Sequence, residues 1–191
     1  MEIMLIRHGK PAFELKGKFR ANEIHNIVQH YNASGIIDTP SATTMKLASG
    51  YNTVICSDLK RALHSAQALG FNDVYLSDTL FREVAIPYFK QGAIKLPLEV
   101  WVVFLRGLSI FGFSENGESL SMAKQRAKWA AAKLIDIAHY HNNIMFVGHG
   151  FINYLIVKEL LSNDWTGPSK PGKNYWDYGI YRYEETNKIF T

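Results

Sequence analysis

Residues 1–10, MEIMLIRHGK, contain an apolar run from Ile3 to Ile6 that stops abruptly at Arg7-His8-Gly9. A short apolar run bounded by polar residues reads as a buried strand whose end emerges at the rim of a sheet. The pattern returns at residues 143–150, NIMFVGHG, where a second apolar run ends in Gly148-His149-Gly150. Two strands ending in the same His-Gly chemistry would present both imidazoles in the crevice beyond the carboxyl ends of a parallel sheet, where such sheets bind ligands. Each glycine that follows lacks a Cβ and would let a ligand approach the backbone.

The residues between these strands alternate in period. RANEIHNIVQHYNASG sets Ile24, Ile27, Val28 and Tyr31 at helical spacing before Gly35, and TVIC reads as a buried strand. SDLKRALHSAQALG follows as a helix with a Ser/Asp start and a Gly stop, and NDVYL as a further strand. ESLSMAKQRAKWAAAKLIDIAHY is a long helix of strong formers, followed by the NIMFV strand, the GFINYLIVKELL helix and an edge strand at YGIYRY. This order predicts an α/β three-layer sandwich with a mainly parallel central sheet and helices on both faces. Residues 1–191 are expected to form one domain with a cap insertion at about 84–118, a stretch rich in Pro, Gly and aromatics without a steady period.

Composition narrows the class. The chain has 191 residues, 47% hydrophobic and 20% charged, as in an ordinary globular protein. Its one cysteine, Cys56, excludes an internal disulfide and suits a reducing compartment. With no secretory leader pattern at the start, the expected location is cytoplasmic. The most apolar window, LEVWVVFLRGLSIFGF, is interrupted by Arg106 and too short to span a bilayer, so it is expected in a core or pocket wall rather than a membrane. The formal charge of +4 favours anionic ligands, but no dense Lys/Arg run suggests nucleic acid. His139 and His141 lack a Cys or carboxylate cluster at ligand spacing, so no metal and no other cofactor is expected.

Neutral histidine can attack phosphorus, and charged histidine can donate to phosphate oxygens. A third element supports an anion. Arg61 falls in the first turn of its helix, where the positive dipole end disfavours cations unless an anion is bound there. Lys60 beside it reads as a solvated charge, and Lys16, Lys18 and Arg20 of LKGKFR as a solvated loop. Cys56 stands five positions before Arg61, one short of the spacing cysteine phosphatases use, and inside an apolar strand it reads as inert.

LIRHGK, ICSDLKRALHSA, LFRE at 80–83, NGES at 116–119 and FVGHG, in that order, resemble the histidine phosphatase superfamily, also called phosphoglycerate-mutase-like. The resemblance implies a short phosphatase-type member acting on a small phosphorylated metabolite or a phosphoprotein. It implies His8 as nucleophile through a phosphohistidine intermediate, and Arg7, Arg61 and His149 as holders of the phosphoryl oxygens. Glu83 matches the general acid, which must be protonated before it can serve the leaving alcohol. His8 needs one ring nitrogen held by a neighbour, with a nearby backbone carbonyl as the expected holder. Where many members carry Ser or Thr and then Asn after RHG, this chain has Pro11 and Glu14.

Glu14, Asn153 and Trp101 are the expected further substrate contacts, with Phe104, Phe111 and Phe113 lining an apolar pocket and Tyr175, Trp176 and Tyr178 closing one side of the cleft. Packing is the alternative for the aromatics, and a surface or capping role for Asn153. A phosphomutase of the same superfamily and a phospho-ligand binding module without turnover are the competing functions. The sequence leaves the oligomeric state open.

Overall fold

In the computed structural model, residues 1–184 are described. The central sheet is built from β1 (Glu2–Arg7), β3 (Thr53–Ser57), β4 (Leu76–Asp78), β6 (Asn143–Gly148) and β7 (Tyr178–Arg182), in the order β4-β3-β6-β1-β7. Every pairing is parallel except that of β7 with β1 at the edge. The mainly parallel α/β sandwich expected from the alternating periods is therefore the observed fold.

Strand residues alternate between two apolar layers because successive side chains leave a strand on opposite faces. Ile3, Leu5, Ile55, Ile144 and Phe146 face one core, formed with α5 (Leu120–His141) and α6 (Gly150–Ser162). Met4, Ile6, Val54, Cys56, Met145 and Val147 face the other, which includes Ala48 of α2 (Ala42–Ala48) and Ala62 and Ala66 of α3 (Lys60–Ala68). β1, β3 and β6 are covered on both sides and so read as continuous apolar runs. The strand expected at NDVYL begins only at Leu76, after a turn in which Tyr75 is 59% exposed.

Residues 84–118 are more regular than their sequence suggests. β2 (Lys18–Arg20) pairs with β5 (Lys95–Pro97), and α4 (Leu98–Ile110) follows directly. Trp101 and Leu105 of α4 pack on Ile24 and Ile27 of α1 (Ile24–Ala33), so residues of the first loop share a core with the insertion. Among the described residues, no helix is long and apolar enough to cross a membrane.

Candidate active site

Arg7, the last residue of β1, pairs with Gly148, the last of β6, so the turns after both strands lie side by side. The His8 and His149 rings stand 4.9 Å apart at 61°. His8 is 2% exposed, and its Nδ1 lies 2.7 Å from the Gly9 carbonyl. A carbonyl only accepts, so Nδ1 carries the proton and Nε2 keeps the lone pair. Burial, aided by the Arg61 and Arg7 cations and opposed by the Gly9 bond, lowers the His8 pKa to about 3. The ring is neutral at ordinary pH, as a nucleophile must be.

His149 is fully buried and is the N-cap of α6. Arg61 Nε donates to its Nδ1 at 3.3 Å, which leaves the ring proton on Nε2. That Nε2 is buried without a hydrogen-bond partner among the described residues, as is Arg7 Nε. Burial first, then the charges of Arg61, His8 and Arg7, hold the His149 pKa well below the ordinary value. Arg61 is 1% exposed, donates to the Tyr31 carbonyl and Asn32 Oδ1 at 3.2 Å each, and stacks 4.4 Å over the Tyr31 ring. Arg7 stacks 4.6 Å over Tyr175 and donates to the Lys173 carbonyl. Two unspent buried donors thus belong to the chain neighbour and the ring neighbour of His8, and such groups are costly to leave unpaired.

Three residues hold this arrangement. Asn153, 1% exposed, accepts from the His149 N–H at 3.1 Å and donates to the Ile6 carbonyl at 3.2 Å, tying α6 to β1. With one bond at each end, its amide fixes the His149 backbone against β1. Gly148 is required beneath it, because a Cβ there would strike Asn153 Oδ1. Ser65 accepts from the Gly9 N–H at 2.9 Å and donates to the Arg61 carbonyl at 2.6 Å, linking the His8 turn to α3. Glu83 accepts from Val84, Phe151 and Ile152 N–H at 2.9, 3.1 and 3.0 Å. The last two are free donors of the first turn of α6, so Glu83 is docked on the helix that His149 caps. Its neighbour Arg82 pairs with Asp58 instead.

Several expected contacts lie elsewhere. Trp101 is 5% exposed, donates from Nε1 to the Phe19 carbonyl and serves the cap core. Glu14 lines a separate surface hollow with Phe13, Phe19 and His30. Phe104 and Phe111 are 47% and 90% exposed, and Phe113 packs on Phe89, so these rings do not form one pocket. Room for a Cβ at Gly9 is taken by Trp176 and Asp38, not left for a ligand. The Tyr175 ring lies 5.8 Å from that of His8. Cys56 is buried in β3 with its thiol pushed up to about 12 by burial. Among the described residues, no group of three or more His, Cys, Asp or Glu is placed to hold a metal.

A cavity of about 530 Å³ is lined by Arg61, Glu83, Tyr31 and Asn32 together with Arg106 of α4 and Asn116; Arg61 links it to His149, and neither imidazole lines it. Tyr31 belonged to the apolar stripe of α1 in the sequence, and nothing local marked Asn32 or Ser65 as parts of a site. Their roles come from packing α1 and the His8 turn against α3.

A curated relative, the adenosylcobalamin/alpha-ribazole phosphatase of Escherichia coli, is 23% identical over 186 residues, covering 94% of this chain and 85% of its own. Two solved structures share the fold. A mycobacterial glucosyl-3-phosphoglycerate phosphatase in complex with VO3 superposes with a TM-score of 0.59 at 16% identity, covering 96% of each chain. An Entamoeba histolytica phosphoserine phosphatase mutant in complex with phosphoserine does so at 0.57 and 18%, covering 96% of this chain and 91% of its own. The sequence model of the histidine phosphatase superfamily, branch 1, matches residues 3–189, and the chain belongs to that superfamily.

Proposed function

We propose that the protein is a metal-independent phosphatase that hydrolyses a small phosphomonoester through a phosphohistidine on His8. The observation that carries this reading is the pairing of a neutral His8, whose Nδ1 proton is fixed on Gly9, with unspent donors on His149 Nε2 and Arg7 Nε. A nucleophile and donors for the developing charge are the two parts such chemistry needs. The relatives with phosphatase names support the class, and a cavity of about 530 Å³ suits a metabolite-sized leaving group.

His8 Nε2 attacks phosphorus with its lone pair while the P–O ester bond breaks. Arg7, Arg61 and His149 hold the equatorial oxygens, and the Gly9 carbonyl steadies the positive charge that appears on the imidazole. Glu83 is the proposed proton donor to the leaving oxygen, and it accepts one backbone N–H at Oε2 and two at Oε1. Water then gives its proton to Glu83, attacks phosphorus and breaks the P–N bond, which restores both side chains. Both imidazoles are buried, so a phosphoryl group reaches them only when the residues over them move. The solvent-exposed bond from Arg7 to the Lys173 carbonyl is the contact it would exchange for phosphoryl oxygens.

Phosphate release from p-nitrophenyl phosphate in the presence of EDTA, inhibited by vanadate, is the expected result. Vanadate binding without turnover of any phosphomonoester would make the protein a binding module. A requirement for a phosphorylated primer, with transfer exceeding hydrolysis, would make it a mutase.

A further inference from the structure

Arg106 entered the sequence only as the break in an apolar run, yet it projects from α4 into the cavity that Arg61 and Glu83 also line. Its Nη2 donates to the Val84 carbonyl at 2.7 Å, and its guanidinium carbon sits 5.1 Å from the centre of the Phe151 ring. Its Nη1 is buried and has no hydrogen-bond partner among the described residues. Both nearby acids are engaged elsewhere. Glu83 accepts from three backbone N–H groups, and Glu118 is held through both oxygens by Arg126 at 2.8 and 2.7 Å.

A guanidinium drawn out of water with an unmade hydrogen bond and no direct counter-ion is costly, and an anion bound to it recovers that cost. Its location says which part of a ligand would supply the anion. Phe151 gives its N–H to Glu83 and its ring face to Arg106, so the candidate acid and the spare cation share one wall. A group on Arg106 therefore lies on the side of the leaving alcohol, away from the phosphoryl oxygens held by Arg7, Arg61 and His149. Apart from Arg61, which bonds His149, Tyr31 and Asn32, the arginines on the cavity wall, Arg82 and Arg126, are already paired with Asp58 and Glu118.

We propose that Arg106 is a specificity-determining residue whose Nη1 takes an oxyanion, a carboxylate or a second phosphate, carried on the alcohol part of the substrate. The inference rests on the phosphatase reading above and narrows it to esters of anionic alcohols. Arg106→Gln and Arg106→Lys test it with two matched pairs, phosphoglycolate against ethyl phosphate and propane-1,3-diol bisphosphate against propyl phosphate. The wild type should prefer the anionic member of at least one pair, and which pair shows the preference separates carboxylate from phosphate.

In R106Q the ratio of kcat/KM within that pair should fall about tenfold or more, mainly through KM, because a charge-assisted bond is lost. R106K should keep part of the preference. A ratio that stays constant while both rates fall would make Arg106 a structural anchor for Val84 and overturn the proposal, as would a wild type with no preference in either pair. The same pairs are to be measured by calorimetric binding. A preference in binding that R106Q abolishes, without turnover of any ester, would keep the anion subsite and sink hydrolysis alone. Absence of a binding preference would overturn the subsite.

Discussion

Replacing Asn153 by Ala tests how the two histidine turns are held in register. The amide is 1% exposed and makes two hydrogen bonds, to the His149 N–H at 3.1 Å and the Ile6 carbonyl at 3.2 Å. Alanine leaves a buried N–H without an acceptor, at about 1–3 kcal/mol, weakens the satisfaction of a carbonyl, and opens a small void. The sum is a loss of about 2–4 kcal/mol, or roughly 10 °C in a domain of this size. Because the freed N–H belongs to the N-cap of α6, the His149 ring should also lose its fixed orientation, and kcat should fall more than KM rises. Thermal and urea unfolding, read with steady-state kinetics on p-nitrophenyl phosphate, measure both effects. A variant as stable as the wild type, or one that loses stability with kcat intact, would refute the positioning role.

Ser65→Ala removes the acceptor of the Gly9 N–H and should cost about 1–3 kcal/mol by urea unfolding, while Ser65→Thr is the less disruptive partner if its methyl is tolerated. His8, held near 3 when folded against 6.5 when free, and His149, also lowered, bind protons more readily in the unfolded chain. Stability should therefore be full above pH 6.5 and fall, through His8, by roughly 1.4 kcal/mol per pH unit as pH drops from 6.5 toward 3, with His149 acting in the same direction; equal unfolding midpoints at pH 7 and pH 5 would contradict this. Cys56, buried with its thiol raised to about 12, should resist Ellman's reagent in the native protein and react once unfolded. Fast native labelling would show that β3 is poorly covered.

The framework was legible because it is written in local periods. β1 and β6 are apolar on both faces, so each ends visibly where the polar His-Gly begins, and the parallel pairing of Arg7 with Gly148 then brings the histidines together. α4 was not legible. Its apolar residues surround the helix, leaving no stripe of helical period, and the structure exposes Val103 at 74% while burying Trp101 and Leu105. That pattern turned a packing tryptophan into an expected substrate contact. Glu14 failed for another reason, since a position counted from the RHG turn does not fix where the following loop runs. Asn153 was within reach in sequence, one turn past His149, but whether its amide faces a ligand or the backbone is set by β1, a partner 147 residues away. Glu83 likewise meets α6 only through tertiary packing, 68 residues along the chain from Phe151.

The central claim is that His8 Nε2 takes up the phosphoryl group, and trapping the covalent enzyme tests it most directly. Rapid quenching during turnover, followed by peptide mass spectrometry under alkaline conditions, should find one acid-labile phosphoryl group on the peptide bearing His8, absent in His8→Ala. A label on His149 or Cys56, or steady turnover with no labelled protein at any quench time, would contradict it.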